Sequence, residues 1–370
     1  MHLTVSLRIL GMLLMLFSSA MLLPLVIAVL DDDSTITGFL TAFSITFLSG
    51  VAMWLPVRHI RHELRIRDGF LITSLFWTVL GVFGSLPFAL TDALQLTAAE
   101  AVFESISGLT TTGATVISGL DTLPASRLFY RQLLQWLGGI GIIVVAVAVL
   151  PMLGIGGMQL YKAETPGPSK DNKLTPRITE TAKALFVVYV ALTACCALAY
   201  YAAGMSGFDA ICHAFSTVAI GGFSTHDASI GYFDSNAILI VCSVFMSISA
   251  VNFGLHFMAW RRRTAGVYIK DSETRFFFSA LATVVLITCV YLVFSGTLDP
   301  VNGIGHGLFQ AISITTTTGF ATQNFAAWPS FLPVMLLMFS FMGGCVGSTG
   351  GGMKAMRVML IYKQGIRELK

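Results

Sequence analysis

The sequence predicts an all-α membrane protein: an N-terminal helix hairpin followed by three related helix–loop–helix units. Three observations carry that reading. Of 370 residues 55% are hydrophobic and 11% charged, with a mean hydropathy of +0.80, whereas soluble domains carry about 25% charged residues. Apolar stretches approaching the roughly 20 residues of a bilayer-spanning helix recur along the chain. One short phrase also occurs three times. It reads Phe103-Glu-Ser-Ile-Ser107-Gly-Leu-Thr-Thr-Thr-Gly113-Ala, then Cys212-His-Ala-Phe-Ser216-Thr-Val-Ala-Ile-Gly-Gly222-Phe, then Phe309-Gln-Ala-Ile-Ser313-Ile-Thr-Thr-Thr-Thr-Gly319-Phe. Aligning the three final glycines places Ser107, Ser216 and Ser313 in one column, and the glycines lie 109 and 97 residues apart. A repeat of that period organises the whole fold.

The elements follow in order. Apolar stretches cover 3–30, 38–57, 70–90, 128–153, 182–204, 236–259, 276–295 and 329–342, giving eight main spans. Shorter apolar pieces at 99–109, 208–218 and 303–314 precede each glycine and read as re-entrant segments. The run after Arg8 is too long for a secretory leader and lacks a small-residue cleavage site before Asp31, so it reads as a retained helix. Residues 1–68 form the transmembrane hairpin and 69–160 the first repeat. The second repeat with its preceding cytoplasmic linker is 161–262, and 263–370 is the third, with a broken helix and a cytoplasmic end. The linkers Tyr161–Thr181, with Pro166, Pro168 and Pro176, and Arg261–Glu273 are polar and rich in turn formers.

Charge placement sets an expected orientation. Of 22 basic residues, all but Arg127 and Arg131 fall at Arg8 or in Arg58–Arg67, Lys162–Lys183, Arg261–Arg275 and Lys354–Lys370. The alternate loops hold Asp31, Asp32, Asp33, Asp92, Glu100, Glu104, Asp209, Asp227, Asp234 and Asp299. The positive-inside rule places the basic loops and the N-terminus in the cytoplasm, so every glycine loop enters from the outer side. A nucleic-acid patch is excluded because membrane spans separate the basic groups.

Polar loops at membrane depth suit a cation. A dehydrated ion needs oxygens in place of water, and backbone carbonyls of an extended loop supply them. Thr110–Thr112 and Thr315–Thr318 add uncharged hydroxyls. Glycine permits backbone angles that turn a carbonyl inward without Cβ strain, and each short helix directs the negative end of its dipole at the loop. Glu100, Glu104, Asp209 and Asp227 are placed to concentrate cations at the outer mouth. The architecture is then three helix–pore loop–helix repeats around a central ion path. In Gly343-Gly-Cys-Val-Gly347-Ser-Thr-Gly350-Gly-Gly352 six of ten residues are glycine, enough to interrupt a helix. Either small residues pack helices closely there, or the segment is a flexible plug beneath the pore.

Other classes fit less well. A secondary transporter that binds solute at broken helices is the alternative; His213, Asn252 and His256 are its candidate polar participants, although no charged residue lies deep in a span away from the loop ends. A membrane enzyme would need a nucleophile–base pair or metal cluster, and Ser, His and Asp are scattered without one. Cys195, Cys196, Cys212, Cys242, Cys289 and Cys345 show no metal spacing and read as packed thiols. Gly154-Ile-Gly156-Gly157 precedes no βαβ unit and Gly138-Gly139-Ile-Gly141 sits inside a span, so no dinucleotide site is expected.

Thr-Thr-Thr-Gly113-Ala, Ile-Gly-Gly222-Phe-Ser, Thr-Thr-Thr-Gly319-Phe and Gly-Ser348-Thr-Gly-Gly-Gly-Met-Lys354 closely resemble the Trk/Ktr/HKT superfamily of potassium transporters, most specifically its bacterial TrkH-type subunits. The resemblance covers essentially the whole chain. It implies K+ as the transported ion and a K+ filter formed by Thr111, Thr112, Gly113, Ile220, Gly221, Gly222, Thr317, Thr318 and Gly319. Glycine at the motif position goes with K+ preference in that superfamily, and serine in the first repeat of some plant relatives goes with Na+. The resemblance also implies an intramembrane gate at Gly343, Gly344, Gly347, Ser348, Thr349, Gly350, Gly351 and Gly352. It further implies a homodimer in the bacterial inner membrane, surrounded by lipid, that docks a cytoplasmic TrkA-type ring binding nucleotide, with no organic cofactor and no nucleic acid. The superfamily pattern has four repeats and this sequence shows three. A truncated chain is the expectation, the alternative being a missing quadrant supplied by another chain.

Overall fold

The computed structural model describes residues 3–60, 66–91, 96–152, 178–329 and 331–369. Among them the secondary structure is helical throughout, without strands. The linker stretch 161–177 with its three prolines, Gly154–Gly157, Asp92, Arg61 and Arg65 lie outside the described residues. The chain divides into two compact units, Met1–Thr110 with Ala114–Lys183, and Thr111–Gly113 with Ala184–Lys370.

In the first unit, helices α1 (Leu3–Ala20) and α2 (Leu22–Leu30) make one hydrophobic span, and α3 (Ile36–Trp54) returns beside α1. Small residues let the two backbones meet: an added Cβ on Gly11 would lie 2.7 Å from the Gly50 carbonyl oxygen, and one on Gly50 2.8 Å from that of Gly11. Asp33 ties the turn of this hairpin. Its carboxylate accepts hydrogen bonds from the Thr35 amide and hydroxyl and, at 2.6 Å, from the Ser126 hydroxyl. Partial burial works against the charge, but these bonds and the nearby Arg127 hold Asp33 below the usual carboxylate pKa. Helices α4 (Ile66–Gly84), α5 (Leu86–Ala89), α6 (Ala98–Leu109) and α7 (Ala125–Met152) complete the unit. Phe39, Phe88 and Tyr130 meet in its core, and the Tyr130 hydroxyl donates to the Gly84 carbonyl at 2.9 Å.

Helix α8 (Ile178–Ala202) leads into the second unit, which holds α9 (Gly207–Ala219), α10 (Asn236–Ser249), α11 (Phe253–Arg262), α12 (Gly266–Lys270), α13 (Ser272–Phe294), α14 (Pro300–Thr315), α15 (Leu332–Ser340) and α16 (Ala355–Glu368). Val284 and Leu292 of α13 pack with Ala311 of α14 and Leu332 and Leu336 of α15. Leu198, Leu286 and Phe294 point outward, more than half exposed, as side chains in contact with lipid do.

Four described helical stretches are long and apolar enough to span a membrane: Thr4–Leu30, Ile36–Val57, Lys183–Ala202 and Ser272–Phe294. The expected span 70–90 is divided at Ser85 between α4 and α5. The helix after each glycine loop is interrupted as well. Helix α7 breaks at Gly141 (φ 41°, ψ −143°), and α10 and α11 form a pair bent by 94°. Gly141, Ala250 and Gly347 each lie 28 residues beyond their loop glycine, so an interruption expected for the third repeat alone recurs in register in all three.

Candidate functional site

Each short helix starts with a side-chain cap and ends at a glycine loop. The Thr97 hydroxyl accepts from the Glu100 amide, while the Glu100 carboxylate accepts from Thr97. Ser206 caps α9 and Asp299 caps α14 in the same manner. Hydrogen bonds from the Thr97 amide and then its hydroxyl lower the Glu100 pKa. The Asn302 side chain, followed by its amide, does the same for Asp299. These anions sit at the positive ends of their helix dipoles, and the opposite ends face the loops.

The loop backbones repeat one another closely. Thr111 (φ 55°), Ile220 (φ 55°) and Thr317 (φ 67°) adopt left-handed angles two residues before Gly113 (φ 76°), Gly222 (φ 83°) and Gly319 (φ 86°). Changes of hand along a short stretch turn successive peptide groups toward one side. A β-branched residue in this region costs about 1–3 kcal/mol and persists where its surroundings enforce it. The glycines also set the spacing between loops. A Cβ on Gly113 would fall on the Gly221 carbonyl oxygen, and one on Gly222 on the Thr318 carbonyl oxygen. Both contacted carbonyls belong to the residue just before the next loop's glycine. Gly319 has no heavy atom of the described residues within 4 Å of the same position. The Ser107 hydroxyl donates to the Ala114 carbonyl at 2.5 Å, and Ser313 donates to Phe320 at 2.7 Å. Among the described residues, the buried Ser216 Oγ has no hydrogen-bond partner.

The threonine and acidic side chains of the loops find partners within the protein. The threonine hydroxyls are largely engaged by the protein. Thr110 donates to the Ile106 carbonyl and Thr316 to that of Ile312, Thr318 Oγ1 pairs with Thr316 Oγ1, and Thr317 Oγ1 accepts from Gly351. Glu104 is no mouth residue: it is fully buried, and its Oε1 lies 2.8 Å from Arg131 Nε. Arg131 thus stands apart from the charge topology because it is neutralised inside the protein, as intramembrane charges generally are. Breaking a buried pair by removing one partner costs about 3–5 kcal/mol. Arg131→Met is therefore expected to lower the thermal unfolding midpoint in detergent sharply, and adding Glu104→Gln is expected to recover most of the loss. An Arg131→Met midpoint at the wild-type value would show that the pair contributes nothing to stability.

The Gly-rich segment after α15 is tied to its surroundings on every side. The Cys345 amide donates to the Ala250 carbonyl at 2.8 Å, and the Phe253 amide donates to the Gly347 carbonyl at 2.9 Å. The segment therefore supplies hydrogen bonds that the break between α10 and α11 leaves open. The Thr349 hydroxyl donates to the Val218 carbonyl at 2.8 Å, at the end of α9, and the Gly351 amide donates to Thr317 Oγ1 at 2.9 Å. Glu273 Oε1 accepts from the amides of Val346 at 2.8 Å and Met356 at 3.0 Å. The Lys354 ammonium donates to the Gly350 carbonyl. The Gly343–Gly352 stretch is thus a loop tied by hydrogen bonds to Val218 near the end of α9 and to Thr317 just past α14.

The TrkH family, described as cation transport proteins, matches residues 36–370. The chain belongs to the TrkH family. It is 58% identical over 369 residues to the Trk system potassium uptake protein TrkH of Halomonas elongata, which covers 100% of this chain and 77% of that protein. It is 53% identical over 374 residues to the TrkH of Escherichia coli K12, covering 100% of this chain and 77% of that protein. The crystal structure of the potassium transporter TrkH from Vibrio parahaemolyticus superposes with a TM-score of 0.88 at 52% identity, covering 100% of this chain and 76% of that one.

A TrkH-family chain is a membrane transport protein and not an enzyme, and its helical fold is that of the solved relative. Three features of the TrkH-family site were not legible in its motifs. The left-handed angles fall on Thr111, Ile220 and Thr317, residue types that ordinarily avoid them. The break at Ala250–Asn252 contains neither glycine nor proline. Glu273 lies 70 residues and more from the amides it holds.

Proposed function

We propose that this chain carries K+ into the cell across the bacterial inner membrane, through a filter formed by the backbone carbonyls of Thr111–Gly113, Ile220–Gly222 and Thr317–Gly319. The observation that carries the reading is the packing shared by the first two loops, in which Gly113 and Gly222 each lie against the carbonyl preceding the next loop's glycine. Such packing sets neighbouring carbonyl groups at one spacing around one path, which is what replacing an ion's water shell requires. The printed names of the relatives, potassium uptake proteins, support K+ as the ion.

The Gly343–Gly352 loop is the gate in this reading. It occupies the inner ends of α9 and α14 and is released when its ties to Ala250, Val218, Thr317 and Glu273 are broken. The basic segments and the N-terminus lie in the cytoplasm, where the N-terminal Arg8 and the Arg261–Arg275 and Lys354–Lys370 groups place them by charge. A homodimer regulated by a cytoplasmic TrkA-type nucleotide-binding ring completes the proposal. Uptake of labelled Rb+ by liposomes holding the purified protein tests it. Uptake suppressed by excess K+ and little affected by excess Na+ is expected; uptake equally sensitive to both would overturn the potassium filter.

A further inference from the structure

The three loops share a second column, hidden by chemical dissimilarity. Glu104, His213 and Gln310 each stand nine residues before the loop glycine, and all three are fully buried. Each reaches from its pore helix to the segment leaving the glycine. Glu104 accepts the Thr115 hydroxyl at 2.9 and 3.0 Å and the Val116 amide at 3.1 Å. His213 places Nδ1 2.9 Å from the Asp209 carbonyl oxygen and Nε2 2.9 Å from Ser224 Oγ. A carbonyl only accepts, so Nδ1 carries the proton and Nε2 accepts the Ser224 hydroxyl. Ser224 Oγ in turn accepts the His226 amide at 3.1 Å. Gln310 donates Nε2 to the Phe320 carbonyl at 3.4 Å and accepts the Thr322 amide at 3.5 Å. Ser313 reinforces that longer link at 2.7 Å.

A carboxylate, an imidazole and an amide thus make one join, always between the pore helix and the first three residues after the glycine. Nothing in the chemistry of conduction calls for three such different groups. What they have in common is a buried polar atom at a fixed place, able to hold the outgoing backbone. Buried polar networks that are satisfied in this way rigidify their surroundings.

We propose that Glu104, His213 and Gln310 are positioning residues for ion selection: they anchor the outgoing strand of each loop and so keep its carbonyls from closing around an ion smaller than K+. The proposal rests on the filter reading above. It assigns His213 to the frame of the path and not to a solute site. One anchoring hydrogen bond contributes about 1 kcal/mol net, which corresponds to about a fivefold change in an equilibrium ratio.

The test uses the full chain reconstituted in liposomes, with K+ over Na+ preference measured as a reversal potential for His213→Leu, His213→Gln, Gln310→Leu and Gly222→Ala. His213→Leu is expected to lower the preference about fivefold, and His213→Gln, which brings in the third loop's residue, to restore most of it. In detergent, the rise in unfolding midpoint produced by K+ over that produced by Na+ is expected to shrink in His213→Leu and recover in His213→Gln, since a bound ion stabilises the state that holds it. If Gly222→Ala changes the preference while His213→Leu and Gln310→Leu keep the wild-type value, the column only packs the helices and the proposal fails. If Gly222→Ala also keeps the wild-type value, the filter reading itself is what fails. Should His213→Leu not fold, Gln310→Leu decides by the same criterion.

Discussion

Gly222→Ala is expected to reduce K+ over Na+ preference at least about tenfold, a change of about 1.4 kcal/mol between the two ions. Two effects act at that position. Its φ of 83° is one that L-residues rarely adopt, at a cost of about 1–2 kcal/mol for a side chain. The new methyl group would also fall on the Thr318 carbonyl oxygen, which must move. A displaced carbonyl breaks the matched spacing that replaces the water shell of K+, so the advantage of K+ over Na+ shrinks. Gly113→Ser meets the Gly221 carbonyl in the same way and is expected to shift preference in the same direction. Reversal potentials in K+ and Na+ gradients read both effects. Wild-type preference in both variants would mean that these glycines do not set the spacing of an ion path.

The second large effect concerns the gate. Deleting Gly347–Gly351 removes the Gly347 carbonyl that accepts from Phe253, the Thr349 hydroxyl bond to Val218 and the Gly351 amide bond to Thr317. Flux without any regulatory subunit is expected to rise strongly. Glu273→Ala is the milder version, because the loop stays whole and loses the oxygen that accepts from Val346 and Met356. Two hydrogen bonds at about 1 kcal/mol each correspond to about a thirtyfold shift toward the released loop. Glu273→Gln keeps an acceptor oxygen and is expected to stay near wild type. Rb+ influx measured without nucleotide or partner checks the series; a deletion variant no faster than wild type would remove the gate from the account.

Much of this architecture is legible in the residues themselves. The glycine and serine columns stand out because their residue types are identical in all three phrases, and α6, α9 and α14 fall close to the short apolar pieces before each glycine. What escaped has physical causes. The break between α10 and α11 is bridged by hydrogen bonds to Cys345 and Gly347, far along the chain, and Ala250–Asn252 itself holds neither glycine nor proline to signal it. Gly141 closes the cluster Gly138-Gly139-Ile-Gly141 inside an apolar run, and the residues alone do not say which of these glycines leaves the helix. Glu104 looked like an exposed acid because its partner Arg131 is 27 residues away and reads as a stray basic residue. The column of Glu104, His213 and Gln310 performs one task with three chemistries, so identity alone could not reveal it.

The central claim is that three glycine loops hold one K+ path. Anomalous scattering from crystals of the protein grown in Rb+ addresses it most directly, since Rb+ replaces K+ and scatters strongly. Rb+ peaks are expected within coordinating distance of carbonyl oxygens from all three stretches, Thr111–Gly113, Ile220–Gly222 and Thr317–Gly319. Peaks confined to the acidic outer surface, with none among those carbonyls, would contradict it.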